Sequence, residues 1–214
     1  LEIRGAGDIL GGEQSGFINE IGFDTYQKIL EEAIDELKGN EFKELFPGDL
    51  DSKEKIYVRE VQIDTDIEIL FPDEYINIVS ERLTLYNELS KIKEEQKLKE
   101  FEKNLEDRFG KIPPQGIELL NTLRLKWLAT KFGLERVIIK QKKCIGYFIS
   151  DQQSDFFQTP VFSQILNAVQ SDTQSMSIKE KQTRNGLRLL FIVENVYSIE
   201  KLYQKLEAIL ASLE

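Results

Sequence analysis

The chain reads as an α+β protein: an N-terminal loop and amphipathic helix, then a helical lobe packed with a small mixed or antiparallel β-sheet. Three observations carry this reading. Apolar residues recur at three- and four-residue steps through 17–37 and again between 76 and 131, the period of a helix with one buried face. From 136 the pattern changes to short β-branched and aromatic runs separated by turn residues, which is how hairpins read. A last segment, 199–213, returns to helical spacing. These shifts divide the chain into residues 1–40, a linker at 41–57, and a domain at 58–214.

The first sixteen residues hold five glycines and no hydrophobic period. Glycine suits backbone that needs positive φ or close approach, so a shaped loop is expected. The loop begins at the first residue without a Met, and the chain is read as part of a longer protein. Phe17, Ile21, Tyr26, Ile29, Leu30, Ala33, Ile34 and Leu37 form the next helix, ended by Gly39-Asn40. Pro47-Gly48-Asp49 marks the linker.

Residues 58–63 alternate apolar and polar and predict a strand; 67–71 look extended up to Pro72, with Asp64 and Asp66 in a turn between the two. Asp73 then predicts the cap of a helix burying Ile76, Val79, Leu83, Tyr86 and Leu89. A charged helix over about 94–109 presents Leu98, Phe101, Leu105 and Phe109, and ends at Gly110. Pro113-Pro114 opens a third helix, closed by Gly133. Residues 136–140 and 144–149 predict one hairpin, and 177–182 with 187–193 a second around Asn185-Gly186. Residues 156–169 predict a helical stretch between them, the helix following Thr159-Pro160, and Ser198 caps the last one.

Composition narrows the chemistry. The 214 residues suffice for one large domain, or a small one with an appendage, and 41% hydrophobic with 31% charged residues fits an ordinary soluble protein. No apolar run approaches a membrane span, and no signal peptide opens the chain. The single Cys144 excludes an internal disulfide, fits a reducing cytoplasm and reads as a structural thiol. Histidine is absent, which removes the commonest acid–base group and metal ligand, so no metal site is expected. A net charge of −10 repels phosphate backbones and opposes a broad nucleic-acid footprint, although Arg4 on its loop can still touch a phosphate.

Candidate motifs mostly reduce to ordinary roles. Gly5-Ala6-Gly7 is followed by Leu10 where a dinucleotide fingerprint needs glycine, and no Gly-Lys-Ser/Thr triplet occurs. Paired acids such as Glu94-Glu95 or Asp64 with Asp66 read as solvated surface, and Tyr147-Phe148 and Phe156-Phe157 as core. Glu106-Asp107-Arg108-Phe109-Gly110 reads as a helix end, with docking through its charges as the functional alternative.

Leu1-Glu-Ile-Arg-Gly-Ala-Gly-Asp-Ile-Leu-Gly11 and Glu13-Gln-Ser-Gly16 closely resemble the translocation motif shared by RecG helicases and bacterial transcription-repair coupling factors. Gly22-Phe23, Tyr26 and Leu30-Glu-Glu-Ala33 look like the coupling factors. Phe71-Pro-Asp-Glu-Tyr-Ile76, Arg82-Leu83, Tyr86 and Asp107-Arg-Phe-Gly110 are similar to their C-terminal domain. The resemblance covers residues 1 to about 135. It implies a parent that is an ATP-dependent double-stranded DNA translocase of helicase superfamily 2. Such a parent uses ATP and Mg, releases stalled RNA polymerase at damage and recruits UvrA for nucleotide excision repair.

By the same resemblance Arg4 and Gln14 couple ATP hydrolysis to movement. The C-terminal domain acts as a clamp on the protein's own N-terminal UvrB-like module and masks the UvrA site. Asp107 and Arg108 match residues of that interface; Asn104 stands where some relatives carry an acid. The chain itself is then expected to be no enzyme and to hold no cofactor. The alternatives are part of a RecG-like helicase and a stand-alone enzyme with a carboxylate-based site.

Overall fold

The computed structural model describes residues 57–183 and 186–211. The loop, helix and linker expected before residue 57, with Arg4 and Gln14, lie outside the described residues. The described residues lie in a single compact unit. Among them five strands, five α-helices and a short 3-10 turn make an α+β arrangement. The strands are β1 (Gln62–Thr65), β2 (Leu134–Lys140), β3 (Lys143–Phe148), β4 (Met176–Thr183) and β5 (Gly186–Glu194). The helices are α1 (Val79–Lys91), α2 (Glu95–Phe109), α3 (Pro114–Lys131), α4 (Pro160–Ser171) and α5 (Ile199–Ala211).

The sheet runs in the order β1-β2-β3-β5-β4. β1 is parallel to β2, and every other pair is antiparallel. A parallel pair needs a long crossover, and here α1, α2 and α3 supply it. The period of two along β2 and β3 puts Val137, Ile139, Cys144 and Phe148 on the buried face. There they meet Leu125, Leu128 and Ala129 of α3 and Ile199, Leu202, Leu206 and Ile209 of α5. Each such aliphatic side chain contributes about 1.5–3 kcal/mol on burial. A second core, built from Phe71, Ile76, Leu85, Leu89, Leu98, Phe101, Leu105, Ile112 and Leu120, holds the helical lobe together.

Several elements differ from expectation. Residues 58–61 are not strand: Val58 and Val61 are buried as core contacts, and pairing begins at Gln62. Asp64 therefore lies within β1, where it pairs with Arg136 across the parallel register (3.1 Å from Nε). Asp66 follows the strand and accepts from the Gln141 amide at 2.9 Å. The helix expected at Asp73 starts six residues later. Residues 72–76 instead close a turn, with the Tyr75 and Ile76 amides donating to the Pro72 carbonyl at 3.0 Å. The Asp73 carboxylate is taken by Arg82 rather than by a helix terminus. In consequence Val79 and Leu83 are 59% and 63% exposed, and Leu85 and Leu89 carry the buried face. Proline divides the helical stretch expected over 156–169: Asp155–Gln158 is a 3-10 turn, and Thr159 caps α4, accepting from the Phe162 amide at 3.3 Å.

The aromatics follow the core reading. Phe148, Phe156, Phe157 and Phe162 pack edge-on or tilted, with centroids 5.0–6.3 Å apart. Cys144 is buried in the same core, and burial pushes its thiol pKa up to about 12, which keeps it protonated and inert. Among the described residues no helix is long and apolar enough to cross a membrane.

Candidate functional site

Tyr75 fixes the end of α2. Its hydroxyl lies 3.0 Å from the Gly110 carbonyl and 3.3 Å from that of Leu105, and donates to one at a time. Its ring meets Phe109 edge-on at 5.8 Å. Burial, then the Glu106 charge, raises its pKa, so the hydroxyl keeps the proton it donates. Gly110 ends the helix at φ +80°, and its amide bonds back to the Glu106 carbonyl. The residues around Tyr75 are tied down as well. The Phe71 amide donates to the Tyr86 hydroxyl at 2.8 Å under a stacked ring pair, and Arg82 donates to the Ile76 carbonyl at 2.8 Å.

On this frame the last turn of α2 and the facing side of α1 form a groove of about 190 Å³. Leu85, Glu88, Phe101, Asn104, Leu105, Asp107 and Arg108 line it. Both sequence-predicted docking residues, Asp107 and Arg108, are thus at one place. Their situations differ. Arg108 is ion-paired with Glu81 of α1, and its guanidinium lies 4.8 Å from the Phe109 ring centre. The Asp107 carboxylate is exposed and has no hydrogen-bond or ion-pair partner among the described residues. The groove therefore offers an apolar floor, a free carboxylate, and a guanidinium held by its own domain.

Other carboxylates serve as ties between elements. Arg124, mostly buried on α3, meets Glu95 at 2.9 Å and Glu102 at 2.8 Å, and donates to Asn121 at 3.1 Å. Burial lowers its pKa, but these bonds outweigh that and raise it, so the guanidinium stays charged. Glu135, at the irregularity in β2, accepts from the Ser150 amide at 3.1 Å and from Arg188 at 2.6 Å. Glu118 of α3 accepts from the amides of Ile199 (2.6 Å) and Glu200 (3.4 Å), capping α5 from another helix. Sequence reading found none of these three, because each ties a charged side chain to residues 15 to 82 positions away with no local pattern. Among the described residues no group of three or more Cys, Asp or Glu side chains could hold a metal ion.

This α+β domain contains a TRCF domain: that family's model matches residues 65–159. The transcription-repair-coupling factor of Escherichia coli is 37% identical over 137 residues, which cover 64% of this chain and 11% of that protein. The one from Staphylococcus epidermidis is 31% identical over 200 residues, 89% of this chain and 16% of that protein. The chain belongs to the transcription-repair coupling factor family. The fold matches a crystal structure of the C-terminal domain of transcription-repair coupling factor, with TM-score 0.53 and 21% identity, over 72% of this chain and 96% of that one. The chain spans between a tenth and a sixth of the length of these two curated relatives.

Proposed function

We propose that this domain restrains a larger ATP-dependent DNA translocase by docking the α2 groove onto that protein's own N-terminal UvrB-like module, and so masks the surface that binds UvrA. One observation carries the reading: the exposed Asp107 carboxylate stands without a partner beside an apolar floor, on a helix end fastened by Tyr75. A single unpaired, solvent-exposed charge beside apolar surface gives a contact that is specific but weak, since exposed ion pairs contribute about 0–1 kcal/mol each. A restraint has to be weak to be released by a partner; inverting a two-state population fully takes only about 5.5 kcal/mol of differential binding.

The larger protein would release stalled RNA polymerase from damaged double-stranded DNA. Arg4 and Gln14 would couple its movement to ATP hydrolysis, with ATP and Mg held by the motor rather than by this domain. A long guanidinium and a neutral amide framed by glycines suit contact with a moving phosphate backbone.

The test follows from the pairing. Reversing Arg108 would also set it against Glu81, so Asp107→Arg is the cleaner variant. In the full-length protein Asp107→Arg should raise UvrA affinity by roughly threefold to tenfold, the equivalent of about 0.7–1.4 kcal/mol. Unchanged UvrA affinity, with the domain folded, would remove the docking assignment.

A further inference from the structure

At one end of the sheet two turns meet. Gln141 (φ 52°) and Lys142 (φ 61°) form the two-residue β2–β3 turn, and Asn195 (φ 60°) follows β5; among the described residues these are the only non-glycine positions with positive φ. The two turns are joined, because the Val196 amide donates to the Lys142 carbonyl at 2.8 Å. Two-residue hairpins favour Asn-Gly, since side chains resist the left-handed region. Gln141-Lys142 keeps side chains where the backbone would prefer glycine, and strained positions of this kind gather at functional surfaces.

Those turns present Tyr197, which is 62% exposed, with the Lys142 ammonium 5.0 Å from its ring centre. The tyrosine stands on a rigid base. The Glu194 amide bonds to Ser175 at 2.8 Å, Val196 to Lys142, and the Ser198 hydroxyl accepts from the Lys201 amide at 3.1 Å. An exposed aromatic whose backbone is already ordered gives up little entropy on binding and makes an effective anchor.

The charges around it have a definite sign in a chain of net −10. Lys140 faces Lys143 directly across the hairpin, a like-charge pair that is unfavourable. Glu194 answers Lys143 at 2.6 Å, and Asp66 is occupied by the Gln141 amide. Lys140 and Lys142 remain exposed, without an ion-pair partner among the described residues.

We propose that this tip, with Tyr197 as anchor and Lys140 and Lys142 as cations, is a second docking surface that takes an acidic, apolar-containing segment of a protein partner. It shares no residue with the α2 groove and would engage independently of it. Charge complementarity selects the partner: two cations without an ion-pair partner among the described residues, Lys142 beside the Tyr197 ring, call for carboxylates. The flanking Asp66 and Glu194 and the strongly acidic chain disfavour a polyphosphate backbone.

The probes are a synthetic peptide alternating glutamate and leucine, its lysine-for-glutamate counterpart, and a single-stranded oligodeoxynucleotide. Each is titrated into the isotope-labelled chain while amide resonances are followed. The glutamate peptide should shift Gln141, Lys142 and Tyr197. Tyr197→Ala should weaken it about tenfold, as loss of an aromatic anchor does. Lys142→Asn, which suits positive φ, should weaken it several-fold and so separates charge from folding. Shifts confined to other regions, unchanged affinity in both folded variants, or the lysine peptide or oligonucleotide engaging the tip in preference would overturn the proposal.

Discussion

Replacing Gly133 with alanine tests how the two lobes are joined. Gly133 sits between α3 and β2 at φ +67°; its amide bonds to Thr130 (3.1 Å), and its carbonyl accepts from Ile149 (2.9 Å). A methyl group there would lie 2.4–2.7 Å from three ring carbons of Phe156. That ring cannot retreat: it is 1% exposed and hemmed by Tyr57, Phe148, Phe157 and Phe162 at 5.4–6.1 Å. Two effects combine. The left-handed backbone costs an alanine about 1–2 kcal/mol, and overpacking adds about 1–3 kcal/mol. Gly110 lacks the second effect, since an added methyl would meet nothing within 4 Å; its φ of +80° with ψ −165° lies where almost only glycine sits, and that backbone strain costs about 1–3 kcal/mol. Gly110→Ala should therefore show a backbone effect without a clash. With a urea slope near 2 kcal/mol per M, Gly133→Ala should lower the unfolding midpoint by about 1–2.5 M and Gly110→Ala by about 0.5–1.5 M. A Gly133→Ala shift below about 1 M, which the backbone effect alone would give, would refute the steric argument.

Two further predictions concern single side chains. Burial holds the Glu118 pKa above the usual carboxylate value despite the bonds from Ile199 and Glu200, with the nearby Glu200 charge adding to the rise. A raised folded-state pKa contributes stability that is complete below the unfolded value and is lost as pH rises through the folded one. Glu118→Gln should flatten that part of the stability–pH curve, and Glu118→Ala should cost about 1 kcal/mol through the lost cap; an unchanged pH slope in the glutamine variant, measured by urea titration at several pH values, would count against this. Cys144 should resist a thiol reagent at neutral pH and react only on unfolding; fast labelling of the folded chain would contradict its burial.

Local rules made much of this architecture legible. The helical spacing of Leu98, Phe101 and Leu105, and of Ile199, Leu202, Leu206 and Ile209, corresponds to buried faces of α2 and α5. The change of period near 136 marks the β2–β3 hairpin. Reading failed where a partner outside the helical or strand period claims a residue. Asp73 has the form of a helix cap, but Arg82 and the turn at 72–76 claim it, so α1 starts late and Leu83 faces solvent. Val58 and Val61 alternate like a strand yet are fixed by the core, and pairing with β2 begins only at Gln62. At the docking groove, Asp107 and Arg108 stood out as charges at a helix end; that Glu81 engages Arg108 and leaves Asp107 free depends on how α1 lies against α2.

Helix α3 belongs to both cores. Leu120 is buried with the helical lobe, while Leu125, Leu128 and Ala129, one or two turns later, are buried with the sheet. The same continuous backbone also carries Arg124, which grips α2, and Glu118, which caps α5. Opening either core would require breaking a helix whose other half is still packed, so hydrogen exchange along α3 should report one shared opening energy for the two lobes. A force applied at the α2 groove would then be carried to the sheet as rigid-body motion, and a restraint made there would be released by the domain swinging away intact.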